Sequence, residues 1–171
     1  MSREKNIGDS IACQWSMNDD IVIVTDSSEV EVYNVPPTGS ISSMRTRITA
    51  GSDFLDVSVR PDTNTPVKII VAGGNNGQVD SSYFYNTATG STVSETSHSF
   101  IDPFAQKVRT VCYSGNALQY AVGGDDKKIW IVDDATDSQI FLLTESSNNI
   151  YDCDFSTDGN LLAAGTSASS G

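Results

Sequence analysis

The sequence predicts an all-β fold assembled from repeated four-stranded antiparallel units, and three observations carry that prediction. Short runs of alternating apolar and polar residues recur along the 171 residues. Turns rich in Gly, Asn, Asp and Ser separate them. The runs are self-similar in four copies, the signature of units that bury their faces only against one another.

The first element of each copy is a short strand: Ser10 to Ser16, Phe54 to Arg60, Val108 to Ser114 and Ile150 to Ser156. Aligned, the copies place a small apolar residue two before a large one, as Cys13/Trp15, Val57/Val59, Val111/Tyr113 and Cys153/Phe155. A spacing of two points both members to one face, which is expected to be core. Turns follow at Met17 to Asp20, Pro61 to Pro66, Gly115-Asn116 and Asp158-Gly159, the last a two-residue hairpin signal. The second strands, 21–25, 68–73, 119–123 and 161–165, are mostly apolar and end in small residues, which suggests burial on both faces.

A polar turn leads in three copies to a third strand, 29–33, 82–85 and 128–132. It closes on Tyr33-Asn34, Tyr85-Asn86 and Val132-Asp133, followed by Thr38-Gly39, Thr89-Gly90 and Thr136-Asp137 and a weaker fourth strand near 40–48, 91–97 and 138–143. This arrangement resembles the WD repeat, whose third strand ends in an aromatic-Asp pair and whose next unit opens with a strand ending in aromatic-Ser, as Trp15-Ser16, Tyr113-Ser114 and Phe155-Ser156 do here. The resemblance covers nearly the whole chain from about Ile7. It implies an incomplete β-propeller, with three full blades plus the first two strands of a fourth, in repeats at about 7–48, 52–97, 107–143 and 149–171 of a single domain.

Trp15, Val59, Tyr113, Phe155, Asn34, Asn86 and Asp133 are the structural positions of that repeat. Trp15 to Val59 spans 44 residues and Tyr113 to Phe155 spans 42, inside the roughly 40–45 of such a blade. Val59 to Tyr113 spans 54, and the excess is assigned to the turn after Asp62 and to a connection from Ser94 to Gln106 that holds His98. No Gly-His dipeptide precedes a blade and no Trp-Asp pair occurs, so the family's buried His-Asp network is not expected.

Composition narrows the function. Ten Lys and Arg against 22 Asp and Glu leave a formal charge of -12, which repels phosphate backbones and anionic lipid, so neither nucleic acid nor membrane is an expected partner. A partner protein with a basic surface fits better. Cys13, Cys112 and Cys153 are odd in number with no C-x-x-C pair, which argues against a disulfide framework or a zinc site. Cys13 and Cys153, at equivalent repeat positions, are expected in core packing, while Cys112 faces the other side of its strand. With no apolar run behind the first charges, a cytoplasmic location, or a nuclear one, is expected.

No catalytic site, metal or cofactor is expected. A single His98 cannot support nucleophile-base chemistry together with the dispersed carboxylates. Gly73 to Gly77 lacks the Gly-Lys-Ser/Thr ending of a phosphate loop, and Asp154, Ser156, Asp158 and Gly159 lack the glutamate a calcium loop needs at Gly165. Trp130 and Tyr33 are assigned to blade packing. What remains for function is a rim of turns between second and third strands, Asp26, Asn75, Asn76, Asp125 and Asp126, beside connections carrying Glu95, Asp102 and Glu145. The reading is a protein-binding scaffold whose acidic rim accepts a basic segment. The alternatives are a propeller enzyme or small-ligand or cation sensor using the central channel, and a purely structural half-propeller. Self-association, or the remaining blades of a longer protein, is expected to close the ring.

Overall fold

Each copy of the repeat folds as a sheet of its own. The computed structural model describes residues 10–17, 20–25, 29–34, 44–49, 54–63, 67–73, 78–86, 91–99 and 107–167. The first sheet joins β1 (Ser10–Trp15), β2 (Asp20–Thr25), β3 (Glu29–Asn34) and β4 (Met44–Thr49), and the second β5 (Phe54–Val59), β6 (Val67–Gly73), β7 (Gln78–Asn86) and β8 (Ser91–Ser99). The third holds β9 (Val108–Tyr113), β10 (Gln119–Gly124), β11 (Ile129–Asp133) and β12 (Ser138–Leu143), and the fourth β13 (Ile150–Phe155) and β14 (Leu162–Thr166). Every pairing is antiparallel between chain neighbours, as short polar turns require. The all-β fold of three four-stranded blades and a two-stranded fourth is therefore the fold of the molecule.

The repeat extends to irregularities. In all four inner pairs the register shifts at the start of the strand, between Ser10 and Ala12, Phe54 and Asp56, Val108 and Thr110, and Ile150 and Asp152. Bulges bend and twist a strand, so their recurrence gives each blade the same curvature. The inner strands β1, β5, β9 and β13 contact one another in chain order.

Packing follows from which side of its sheet each residue faces. Ile70 and Ala72 of the second blade enclose Val111, Tyr113, Tyr120, Val122 and Val132 of the third. Cys112, Ala121 and Ile129 meet Ile150, Cys153, Phe155 and Leu162 of the fourth. The second strand of the third blade is buried from Tyr120 to Gly124, because blades cover both its faces; the expected burial of 161–165 is not found, since β14 has no described blade beyond it and is exposed from Ala163 to Thr166. Each such apolar side chain contributes about 1.5–3 kcal/mol. Blades approach closely at Gly123, where an added Cβ would stand 2.6 Å from Ile150 Cγ2.

Four expectations are corrected. The inner-strand pairs all face the preceding blade, so Val59, Tyr113 and Cys153 are buried, but Trp15 and Cys13 are exposed because no described blade lies on that side of β1. Phe155 is only half-buried, since the fourth sheet has two strands. His98 and Glu95 lie in β8, His98 opposite Val79, and not in a connection. Cys112 and Cys153 form a disulfide with Cα atoms 6.0 Å apart. Cys112 points forward to the next blade while Cys153 points back, and that one-residue offset makes them meet.

The turn after the inner strand is also longer than a two-residue hairpin. Ser114 and Ser156 close equivalent loops by N–H donation to the carbonyls of Gln119 and Leu161, both at 2.9 Å. Their hydroxyls accept from the N–H of the same two residues. Within these loops Ala117 and Gly159 hold equivalent left-handed conformations, φ 60° and 72°, which glycine adopts freely and alanine does not.

Candidate functional site

The rim turn between β10 and β11 is the described part of the site read from sequence. Asp125 and Asp126 follow Gly124, and Lys127 takes φ 64° to complete the turn. Asp125 Oδ2 accepts from Arg109 Nη2 at 3.0 Å and Oδ1 from Arg109 Nε and from Asn149 Nδ2, the last at 2.7 Å. Two parallel bonds to one guanidinium form the strongest type of ion pair, and this pair raises the Arg109 pKa above its already high value. Arg109 also lies 4.5 Å from the centre of the Tyr151 ring. Asp126 accepts only from neutral donors, the Lys128 N–H at 3.1 Å and Trp130 Nε1 at 2.9 Å. Lys107 and Lys127 are exposed beside it and Glu145 faces solvent on the neighbouring connection.

Asp26, Asn75, Asn76 and Asp102 lie outside the described residues. Asn34, Asn86 and Asp133 are the last residues of β3, β7 and β11. Trp130 packs against the cluster around Tyr113, and Tyr33 is buried and donates to Glu31 Oε2 at 2.5 Å.

The opposite rim holds a network that the sequence reading missed. Lys68, 1% exposed, places Nζ 2.7 Å from Asp137 Oδ1, 3.0 Å from Asp134 Oδ1 and 3.0 Å from the Asp134 carbonyl. Arg60 Nη1 stands 3.3 Å from Asp134 Oδ2. Tyr113 donates to Asp134 Oδ1 at 2.8 Å and Tyr120 to Asp137 Oδ1 at 3.1 Å. Arg60 and Lys68 belong to the second blade and the rest to the third, so the network joins the two. The signal was a lone lysine in an otherwise apolar strand, a charge rarely buried unless paired.

Burial first, and the adjacent carboxylates second, raise the ionisation of both tyrosines well above the ordinary phenol range. An unfolded chain releases these protons near pH ~10, whereas the folded chain keeps them. The folded state then binds more protons, and stability must fall as pH rises past about 10. Urea unfolding from pH 8 to 11 should show this decline, flattened in a Tyr113→Phe/Tyr120→Phe variant; an equal slope in that variant would contradict the assignment.

Two further carboxylates lie at the end of β11 and in the turn after β13. Asp133 accepts from Thr136 N–H at 2.8 Å and its hydroxyl at 2.7 Å, and Asp158 from Ser156 Oγ at 2.6 Å and Asn160 Nδ2 at 3.0 Å. Both pKa values are lowered, in each case first by the side-chain hydrogen bond from Thr136 or Ser156. Phe54, Val108 and Ile150, which open their inner strands, are buried apolar residues. Among the described residues no group of three or more His, Cys, Asp or Glu could hold a metal ion, and no helix is long and apolar enough to cross a membrane.

No family model and no curated protein matches the chain. Among solved structures, it is similar to the crystal structure of the Myceliophteria thermophila Cps50 (Swd1) β-propeller domain, with a TM-score of 0.69 and 12% identity over 92% of this chain. The match covers 49% of that chain, so the present sequence spans about half the neighbour's length. The likeness establishes a β-propeller fold.

Proposed function

We propose that this chain is a protein-interaction scaffold of the WD-repeat type, without enzymatic activity, whose acidic rims accept a basic segment of a partner. The observation that carries this reading is the formal charge of -12 on a propeller fold. Such a fold leaves its loops as the surface available to ligands, and steering by charge raises the rate of encounter with a basic partner. The rim first read from sequence, Asp26, Asn75, Asn76, Asp125 and Asp126, contributes through Asp126, since Arg109 neutralises Asp125. The opposite rim adds Asp133 and Asp158, whose hydrogen bonds keep them ionised. Nucleic acid and membrane surfaces remain disfavoured by the same charge, and the location proposed is cytoplasmic or nuclear.

Binding of a fluorescent oligolysine peptide tests the reading. Affinity should fall with added salt. Each double variant, Asp125→Asn/Asp126→Asn and Asp133→Asn/Asp158→Asn, should weaken it severalfold, because exposed charges contribute modestly one by one and together set the rim's attraction. Loss in only the second variant would move the site to the opposite rim, and binding indifferent to salt and to both variants would sink the proposal.

A further inference from the structure

The inner strands are latched to one another by a recurring polar contact. Gln14 Oε1 accepts the Val59 N–H at 2.5 Å, and Ser58 Oγ accepts the Tyr113 N–H at 3.0 Å. In repeat register Gln14 and Ser58 are the same position, and Val59 and Tyr113 are the same position one blade later. Two residues earlier Asp56 Oδ2 accepts the Val111 N–H at 3.0 Å. Between the third and fourth blades Cys112, the equivalent of Ser58, is bonded to Cys153 instead. Each blade therefore presents a forward face of acceptors and a backward face of N–H donors with a small and a large apolar side chain.

Two of these faces are bare among the described residues. On β13 the forward positions are Asp152 and Asp154, both exposed, with Tyr151 beside them at 49%. On β1 the backward positions are Cys13 and Trp15, both exposed, Trp15 at 56%. Asp154 is the equivalent of Gln14, Ser58 and Cys112, and Trp15 the equivalent of Val59, Tyr113 and Phe155. The two faces are the complementary halves of the interface that the molecule already uses three times.

We propose that the forward face of β13 in one copy of this chain docks on the backward face of β1 in a second copy, with Asp154 accepting the Trp15 N–H and Asp152 that of Cys13. Two such junctions close a ring of eight inner strands, the upper end of the usual 4–8 blades. The occupant is a second copy because, among the described residues, the exposed backward face in the matching register is that of β1 itself. The size agrees, since 92% of one copy matches 49% of a propeller domain. This inference is independent of which partner the rims bind.

The Cys112–Cys153 bond supplies the test. Asp154 stands at the Cys112 position and Cys13 at the Cys153 position, so in the full-length Asp154→Cys variant a mild oxidant should join each copy to Cys13 of the other. Nonreducing electrophoresis should show one covalent species of twice the chain mass, and peptide mapping should place the new linkage between positions 13 and 154. The species should vanish when Cys13→Ser is added. Light scattering of the unmodified chain at micromolar concentration should give the same doubled mass, lost in Trp15→Asp, an exposed position whose change leaves the fold intact by circular dichroism. A monomer in scattering, linkage that persists in Cys13→Ser, or a ladder of larger species in place of the closed pair would each overturn the proposal.

Discussion

Replacing Lys68 with methionine should destabilise the protein by about 3–5 kcal/mol, the cost of removing one partner of a buried ion pair. Methionine fills most of the lysine volume, so little of the loss comes from a cavity. It comes from Asp134 and Asp137, which keep their tyrosine donors but lose the ammonium that lies within 3.0 Å of both. The measurement is the urea midpoint at constant slope. A midpoint within about 0.5 kcal/mol of wild type, the range of surface substitutions, would show that the network does not form. Because Asp137 retains a repulsive neighbour in Asp134 after the lysine is gone, adding Asp137→Asn should recover part of the loss.

This network shows where sequence reading stops. Alternation, turn chemistry and spacing revealed the strands, because a period of two and a blade length of about 40–45 residues are written in local order. They also placed Val59, Tyr113 and Cys153 in packing, since residues two apart share a face. What one strand cannot reveal is which blade covers that face. Trp15 and Val59 read alike, yet only Val59 has a described blade in front of it. Lys68 read as a member of an apolar strand because its partners come 66 and 69 residues later, in a turn whose carboxylates looked like ordinary solvated caps. On the first rim the sequence found Asp125 and Asp126 but not Arg109, whose place one strand over depends on the pairing of β9 with β10.

The cysteine pair went unread for a related reason. An odd count without a C-x-x-C spacing is a sound argument against a disulfide framework, but it does not exclude a single bond between repeats. The available signal was the offset itself. Cys153 falls on the backward position of its blade and Cys112 on the forward position of the one before, and consecutive blades bring those positions together.

Removal of that bond is the second large effect expected. The Cys112→Ala/Cys153→Ala variant should lose about 2–4 kcal/mol, since the bond closes a 41-residue separation and restricts the unfolded chain accordingly. The loss should be uneven. The fourth sheet has two strands, with Leu161 exposed and Phe155 half-buried, so without the bond it is held mainly by Ile150, Phe155 and Leu162 packing against the third blade. The Tyr120 and Val122 cluster lies on the other side of that blade and keeps its contacts. Hydrogen exchange should therefore accelerate across β13 and β14 while β10 stays protected, the pattern of a local opening. Thiol counting sets the baseline: air-exposed native protein should present Cys13 alone, and reduced protein all three cysteines. Dithiothreitol should lower the unfolding midpoint of the wild type and leave the double variant unmoved. Three reactive thiols before reduction, or equal exchange in β10 and β14 after it, would mean that the fourth sheet is held to the third by packing alone.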